Sequence, residues 1–525
     1  MKLFKYLAIA LGGVLVLLVA LGAYVALTFD AERVKGELAR VVQEKKQRTL
    51  RIDGAADLSF WPGIGMKLEQ VSLSERASDQ VFASLDAARV SLQLLPLLRK
   101  YIVIDAVELT GARATVVRRK DGSTNIDDLL AREEEPSPAL RFDIGGVKLE
   151  RAHLAYRDEQ TGQSAALSDL DVNTGRLGNA AAGRLSVSAR FTLAQPDSAG
   201  DLELAGSYRY DLARGDFAVS DLDARLSGGL AGIKGERQTD AFELKLDAPR
   251  LALAGDKAGG EAVRLAAKFS GAQRVVDARL ELSGVAGPLD AMNIEKLAFD
   301  VDARFGDRTI KGGLSSPVTA NLQARTVELP KYGGEFHIVD PNMPAKSVKL
   351  PLSGSLRGDL ARGTAAGSLA ARFDESQIQA KFDVIRFDPL AFAFDVDIDK
   401  LNADRYRTAR STPSAAPARG NAKAEEPIDL SALRKLDARG TLRIGQLQVA
   451  DVKASNVRME IRSEGGRLEA APHSANLYNG KLSGVLALNA NNDSLALKQT
   501  LSNVSSNPLM KDALDKEKLK GLLGR

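Results

Sequence analysis

The 525-residue sequence contains no cysteine. This absence excludes disulfide bonds, thiolate metal sites and cysteine nucleophiles together. Aromatic residues make up only 5% of the chain, and there is a single tryptophan, Trp61. Aromatic side chains often anchor compact cores, because each of them buries a large area. A chain so poor in them must build its interior from leucine, valine, alanine and occasional phenylalanine, which favours a thin, extended interior over a thick globular one.

No charge of one sign dominates either, since 72 basic residues accompany 68 acidic ones. This balance argues against a nucleic acid partner. The three histidines, His153, His337 and His473, are each isolated within strand or loop sequence. Metal ligands and catalytic bases typically occur in constellations, and the H-E-x-x-H, P-loop and G-x-S-x-G motifs are all missing. We therefore expect structural histidines, no cofactor or metal, and no enzymatic activity.

The longest uncharged stretch covers residues 6–29. A helix over this stretch would be about 36 Å long at 1.5 Å per residue, which is enough to cross a hydrocarbon core of about 30 Å. A cleaved signal peptide is the alternative, with Ala20-Leu21-Gly22 as its exit site, but the apolar run continues past that point. The pattern therefore predicts an uncleaved transmembrane signal anchor.

The orientation of this anchor depends on the charges that flank it. Lys2 and Lys5 lie in the short tail 1–5, but Arg33, Lys35 and Arg40 lie close on the other side. Long domains translocate largely regardless of such charges, so we expect the short basic tail to stay in the cytoplasm. The remainder of the chain then faces the periplasm, or the outside of a cell with one membrane.

A helix and a strand-turn-strand unit are predicted directly after the anchor. Residues 31–48 place apolar side chains at helical spacing among charges, as in an amphipathic helix. The segment 48–75 predicts a strand, a turn and another strand. Pro62 cannot donate to a sheet ladder, and glycines allow the chain to reverse. The predicted membrane-proximal turn is formed by Trp61, Pro62, Gly63 and Gly65.

From residue 81 onward the dominant pattern is an alternation of apolar and polar residues with a period of two. The clearest example is AFAFDVDIDK (391–400), and FELKLDA (242–248) is another. Side chains of a strand point alternately to opposite faces, so this pattern predicts a sheet with one apolar and one wet side. Turn signals recur every eight to twelve residues, which suits either serial sandwiches or one long open sheet. No repeat of fixed length decides between the two.

The acidic residues of the segment 391–400 also have a second interpretation. Asp395, Asp397 and Asp399 could begin a calcium loop of the EF-hand type. Such a loop would need glycine at Lys400 and glutamate at Tyr406, and the sequence has neither. A solvated outer strand face is the preferred interpretation.

Two segments interrupt the alternation and suggest domain boundaries. Residues 133–138 are charged and contain proline, and residues 408–427 are of low complexity and predicted to be disordered. A helix is predicted near the C-terminus, within residues 507–523. The predicted organisation begins with a cytoplasmic tail (1–5), an anchor (6–29), an N-terminal region (30–132) and a linker (133–138). It continues with a central β-region (139–407), a disordered linker (408–427) and a C-terminal β-region (428–525).

Several motifs in this order resemble the AsmA family. They are the F-W-P-G-I-G turn at 60–65, the segment 94–130 with its DG-x-x-N-x-x-DL ending, and later landmarks at 144–162, 394–406 and 470–484. The ending corresponds to Asp121, Gly122, Asn125, Asp128 and Leu129. Each motif is modest alone, but their order over nearly the whole chain makes the resemblance specific.

The resemblance implies a mainly β protein with an N-terminal transmembrane helix, an amphipathic helix and a long, curled, mostly antiparallel β-sheet trough with an apolar interior. It implies a bacterial inner-membrane protein with one membrane pass and most of its chain in the periplasm. Its implied partners are phospholipid, the inner membrane and other envelope proteins, with a role in outer-membrane biogenesis and envelope lipid homeostasis. The residues expected to line the lipid path are Phe242, Leu244, Leu246, Phe392, Phe394, Val396 and Ile398.

Two questions stay open at this point. A non-catalytic scaffold that influences outer-membrane protein assembly is the alternative function. The family also continues with more strands after the Asn-Leu-Tyr-Asn-Gly-Lys landmark, so a C-terminally shortened chain is expected. In that case the last strands, around residues 476–489, would lie at an unprotected sheet edge.

Overall fold

A computed structural model shows how these segments fold. It describes residues 30–59, 64–92, 104–130, 143–195, 197–230, 240–341, 343, 346–406, 434, 436–492 and 494–513. The described residues form two compact units: the first lies within residues 1–256 and 269–272, and the second within residues 257–268 and 273–525. The predicted linkers 133–138 and 408–427 lie outside the described residues.

The amphipathic helix is present as α1, Ala31–Lys46. Asp30 caps its N-terminus by accepting a hydrogen bond of 3.1 Å from the Arg33 amide. Gln47 ends it in the left-handed conformation, with a φ of 56°. A capping carboxylate and a left-handed C-terminal residue are the usual helix boundaries. The helix contacts the first strands of unit 1, and none of its residues is fully buried.

Unit 1 is built from β-strands in one sheet. Its pairings run from β1 and β2, which both pair with β3, through β4 to β5 and β6, then to β8, β9 and β11–β14. A short helix, α2 (Asp127–Leu130), precedes β7. The strands are β1 Leu50–Ile52, β2 Ala56–Ser59, β3 Ile64–Ser74, β4 Val81–Leu92, β5 Ile104–Thr110, β6 Arg113–Arg118, β7 Asp143–Ile144, β8 Val147–Asp158, β9 Ser164–Thr174, β10 Leu177–Gly178, β11 Ala180–Ala194, β12 Asp197–Asp211, β13 Asp216–Leu230 and β14 Asp240–Ala254.

Unit 2 continues the same architecture, and β15, Lys257–Ser270, is divided between the two units. From β16 to β28 each strand pairs with the next one in sequence. A 3-10 helix, Ala403–Tyr406, follows β23, and α3, Ser506–Ala513, follows β28. The strands are β16 Arg274–Pro288, β17 Met292–Phe305, β18 Arg308–Asn321, β19 Thr326–Val339, β20 Ser347–Asp359, β21 Thr364–Phe373, β22 Ser376–Arg386, β23 Ala391–Asn402, β24 Asp437–Val449, β25 Val452–Glu464, β26 Arg467–Leu477, β27 Gly480–Asn489 and β28 Ser494–Ser502.

Most neighbouring strands are antiparallel, which confirms the predicted mainly β, mostly antiparallel fold. The exceptions are β23 with β24 in unit 2, and in unit 1 β5 with β7 and β8, and β6 with β8. Parallel neighbours require a long crossover connection. The low-complexity segment 408–427 falls within the connection between β23 and β24.

Many strands carry a bulge at which the register shifts. Arg151, Asp221 and Asn456 occupy such positions with φ of about 50°. A bulge adds one residue to a strand, bends it and increases its local twist. In β25, Ala454 before the bulge and Val457 after it belong to the same apolar cluster.

The interior is as thin as the composition predicts. Alanine makes up more than half of the buried apolar side chains among the described residues, and Phe191 is the only phenylalanine in that set. The two clusters of buried side chains are small, one around Ala152 in unit 1 and one around Ile444 in unit 2. The larger apolar side chains are therefore only half-buried or exposed.

Candidate functional site

One face of unit 2 is apolar across successive strands. Phe392, Phe394, Val396 and Ile398 of β23 are paired directly with apolar residues of β22 and with apolar residues or glycine of β24. Directly paired residues lie on the same face of a sheet. We call this side the apolar face of unit 2. Its other members include Ile378, Phe382, Gly367, Leu369, Leu352, Phe336, Ile338, Leu314, Phe299, Val301 and Leu280.

Phenylalanine rings on this face lie over glycines of the neighbouring strand. A Cβ atom built on Gly440 would lie 2.7 Å from Cδ2 of Phe394, and one on Gly367 would lie 2.7 Å from Cζ of Phe382. Each ring thus occupies the space that a side chain would take at its neighbour. The rings therefore extend along the surface of the sheet, over the neighbouring strand, instead of projecting away from it.

The residues named above stay partly exposed to solvent in the described part of unit 2. The principal contacts of its strands are with their ladder neighbours, apart from those that β24 and β25 make with the 3-10 helix and α3. Phe382, Phe392 and Phe394 remain half-buried. A sandwich core would bury such side chains between two sheets.

The opposite face of β23 is polar, but its carboxylates are not simply solvated. Arg443 of β24 forms ion pairs with both Asp395 and Asp397, at 2.8 Å from Asp395 Oδ1 and 2.5 Å from Asp397 Oδ1. Its hydrogen bond lowers the pKa of Asp397. Asp397 and Asp399 are exposed, whereas Asp395 is half-buried. Sequence reasoning missed Arg443, since it follows Asp397 by 46 residues.

The apolar residues predicted in unit 1 also share one face. Phe242, Leu244 and Leu246 of β14 are paired with Gly228, Leu226 and Ala224 of β13, respectively. Leu244 is exposed and the other two are half-buried. The ring of Phe242 lies 6.3 Å from that of Phe191 on β11. Gly200 and Gly228 occupy the intervening positions of the register, so the two rings meet above residues without side chains.

The predicted membrane-proximal turn is described only in part. Gly65 lies inside β3 and is buried, opposite Ser59 of β2 and Ser91 of β4. Trp61, Pro62 and Gly63 connect the antiparallel strands β2 and β3 but lie outside the described residues. So do residues 6–29, for which the sequence predicts the anchor. Among the helices that the structure does describe, none has the length and apolar character needed to cross a membrane.

A buried arginine that sequence reasoning missed joins the end of α1 to the sheet. Arg48 is fully buried. Its Nε donates to Asp128 Oδ2 and its Nη2 to Asp128 Oδ1, both at 2.7 Å. Two further hydrogen bonds reach the carbonyl oxygens of Ser74 and Asn125, and the guanidinium lies 4.9 Å from the ring centroid of Phe82. A bidentate pair of this kind is strong and geometrically specific.

The DG-x-x-N-x-x-DL ending is what supplies the partners of this arginine. Asn125 is buried, donates to Glu75 at 2.7 Å and to the Thr115 carbonyl at 2.9 Å, and accepts from the Val117 amide. Asp121 accepts from the Ser123 amide at 2.9 Å, next to Gly122 with its φ of 87°. The motif therefore shapes a turn that delivers Asn125 and Asp128 to Arg48. Its role here is structural.

The two later landmarks of unit 2 meet at the ends of β23–β27. Asp404, in the 3-10 helix, accepts hydrogen bonds from the amides of Ala450 and Asp451 in the turn between β24 and β25. Tyr478, in the turn between β26 and β27, donates to Asp512 of α3 at 2.7 Å. These elements border a cleft of about 990 Å³, which we call the rim cleft. Residues of both landmarks, 394–406 and 470–484, line it.

The C-terminal part contains one strand that sequence reasoning missed. β28 pairs with β27, so residues 476–489 are not at the edge as expected. All nine residues of β28 are exposed, and in the described part of the chain no strand pairs with its other side. Leu495, Leu497 and Leu501 continue the apolar side of β27 and are more than half exposed.

The three histidines do not converge. They lie on β8, β19 and β26, and His473 contacts the carbonyl oxygen of Ala470 at 3.2 Å. Among the described residues no group of three or more histidines, cysteines and carboxylates could hold a metal ion.

Comparison with known proteins gives one match. The model of the AsmA family matches residues 1–524 of the chain. No curated protein and no solved structure matches it. Because the match covers nearly the whole length, the chain belongs to the AsmA family.

Proposed function

We propose that this protein carries phospholipid on its apolar sheet faces and thereby supports outer-membrane biogenesis and envelope lipid homeostasis. The observation that carries the proposal is the apolar face of unit 2. It extends over many strands and presents phenylalanines that remain only half-buried in the described part of the chain. Soluble proteins rarely expose apolar patches of more than a few hundred Å². Lipid tails would cover such a face and remove it from water.

The cellular setting of the proposal rests on the family and on the N-terminal sequence. Residues 6–29 are uncharged and long enough to anchor the chain in a bacterial inner membrane. The bulk of the chain then lies in the periplasm, with the amphipathic helix α1 next to the bilayer. A reporter that is active only in the periplasm, fused after residue 130, should be active. A soluble product that begins near Ala23 would contradict the anchor.

The central experiment places a carboxylate on the apolar face. An unpaired ion among apolar groups loses on the order of several kcal/mol of hydration free energy. Lipid tails should therefore avoid the carboxylate that Phe394→Asp introduces. We expect the purified full chain in mild detergent to contain phospholipid by mass spectrometry. The variant should contain much less and should fail to restore envelope integrity in cells that lack the protein.

The matched control is Ala393→Asp, one residue away on the opposite face of β23, where it is paired with Arg439 of β24 and Asp383 of β22. Both variants must accumulate with native strand content by circular dichroism. If folded Phe394→Asp protein still carries lipid and still restores the envelope, lipid carriage on this face is wrong. The non-catalytic scaffold for outer-membrane protein assembly would then be the better proposal.

A further inference from the structure

The rim cleft has the dimensions and rigid walls of a binding site. Its volume of about 990 Å³ lies at the upper end of the usual range for ligand pockets, about 300–1,000 Å³. One wall is the 3-10 helix, which Asp404 fixes to the β24–β25 turn. The opposite side is the tight turn at Tyr478 and Asn479, both with positive φ, and Tyr478 is held by Asp512. These contacts are all made between residues of the protein itself.

The cleft is continuous with the apolar face of unit 2. Leu401 and Leu447 line it and also pack against the buried cluster that contains Ile444. Ile398 belongs to the same cluster and is paired with Ile444 on the apolar face. Neighbouring residues of a strand point to opposite sides, so the cleft draws on both sides of the sheet where the strands end. Lys453 and Lys481 neighbour Ala454 and Leu482 of this cluster and point to the other side, so a lipid on the apolar face would reach them around the ends of the strands.

The side chains that line the cleft carry an excess of positive charge. Four basic side chains and two acidic ones line it. Both acids are already engaged, Asp374 by Arg405 at 3.2 Å and Glu375 by Arg405 at 2.9 Å and Lys400 at 3.4 Å. Lys453 reaches a carboxylate only at 4.0 Å, from Asp512. Lys481 has no ion-pair partner among the described residues.

The two remaining lysines can reach one ligand. Ser455, Asn476 and Lys481 are successive partners across β25, β26 and β27, and Lys453 lies two residues before Ser455 on the same side. Strands β25 and β27 are about 10 Å apart, at about 4.8 Å per strand. Two lysine side chains can span that distance toward a common anion. The serine and asparagine between them add hydrogen-bond donors.

We infer that the rim cleft binds the phosphate-bearing head of a lipid whose tails lie on the apolar face of unit 2, with Lys453 and Lys481 as the cations that contact the phosphate. This inference rests on the proposed function. It adds the place where the phosphate of that lipid is held and the residues that hold it. A soluble phosphate ester has the same charged group but no tails.

The test uses three water-soluble probes on the full chain held in amphipol. Dihexanoyl phosphatidylglycerol has tails and phosphate, dihexanoylglycerol has tails alone, and glycerol 3-phosphate has phosphate alone. Binding is measured by titration calorimetry for the unaltered protein, for the double variant Lys453→Gln/Lys481→Gln, and for Lys498→Gln. Lys498 is an exposed lysine of β28 outside the cleft, so it controls for general charge loss.

We expect the double variant to bind dihexanoyl phosphatidylglycerol about five- to tenfold more weakly, as two exposed charge contacts are lost. Added salt should weaken binding to the unaltered protein and have less effect on the variant. Binding of dihexanoylglycerol should not change, and Lys498→Gln should behave like the unaltered protein.

Three outcomes would overturn the inference in different ways. If the double variant binds the phosphatidylglycerol as tightly as the unaltered protein does, the head-group site is wrong. The proposed function still stands in that case if Phe394→Asp abolishes lipid uptake. Failure of the unaltered protein to take up either lipid overturns the proposed function as well. If glycerol 3-phosphate binds as tightly as the lipid and loses affinity in the double variant, the cleft is a site for soluble phosphates.

Discussion

The guanidinium of Arg48 is buried, and four hydrogen bonds and a nearby aromatic ring compensate for the hydration that it loses. The bond from Arg48 lowers the pKa of Asp128. A buried charge that loses its partner is far more costly than an exposed one. At the scale of single residues this pair therefore holds the end of α1 to the sheet of unit 1.

Arg48→Ala should destabilise the N-terminal part of unit 1 by about 3–5 kcal/mol, because Asp128 and Asn125 lose their shared partner. Trp61 is the single tryptophan and lies between β2 and β3 in sequence, so its fluorescence during urea unfolding serves as a local readout. Arg443→Ala removes exposed ion pairs with aspartates in unit 2 and should leave this unfolding transition unchanged. An unaltered midpoint for Arg48→Ala would contradict the assigned role.

The pH dependence follows from the lowered pKa of Asp128. The unfolded carboxyl titrates near pH 3.9, so its ionised form contributes its full stabilisation above about pH 5 and loses it as the pH falls through the lower, folded pKa. Asp128→Asn should be less stable at pH 7. It should also lose less further stability between pH 5 and pH 3 than the unaltered protein, as measured by the same fluorescence. Parallel losses in both proteins would argue against an ionised Asp128.

At the scale of elements, the contact between β23 and β24 combines parallel pairing with close approach. A Cβ atom on Gly440 would lie 2.0 Å from the carbonyl oxygen of Phe394 as well as against its ring. Glycine at this position therefore permits both the ladder and the sideways ring. The apolar face depends on such small residues as much as on its large ones.

Gly440→Ala should lower the free energy of unfolding of this part of the sheet by about 1–3 kcal/mol, the usual cost of inserting an atom into a packed position. Hydrogen exchange of the amides in β23 and β24 should increase. The control is Gly333→Ala on β19, where the added Cβ would find only the Leu352 carbonyl, at 4.0 Å. Equal rates of hydrogen exchange in β23 and β24 of the two variants would show that Gly440 does not lie in tight contact with Phe394.

At the scale of the whole molecule, large apolar side chains lie outside the two buried clusters. Neither cluster contains the half-buried phenylalanines of the two units or the exposed leucines of β28. Under the proposed function lipid covers these side chains in place of a core. The state of the protein should then depend on its lipid content.

Removing co-purified lipid by extensive detergent exchange should make the full chain associate and bind a fluorescent hydrophobic dye, since the apolar faces become available to each other. Adding a lysophospholipid should reverse both effects, as measured by light scattering and dye fluorescence. A chain that stays monodisperse and dye-free without lipid would contradict the need for a ligand on these faces.

The sequence by itself determined the secondary structure class and the composition of the two faces. The alternation around Phe394 and Leu244 has a period of two, and side-chain direction in a strand depends only on that local period. The helix α1 follows from its spacing and its capping aspartate for the same local reason. The low content of aromatic residues likewise predicted a thin interior.

Only the tertiary structure decided which distant residues meet. Arg48 and Asp128 are 80 residues apart, Arg443 reaches back to Asp395 and Asp397, and β23 takes a parallel neighbour across the low-complexity segment. The rim cleft also needs two landmarks separated by that segment. Strand order and register are set by pairing energies between remote segments, and a period of two is the same for every possible partner.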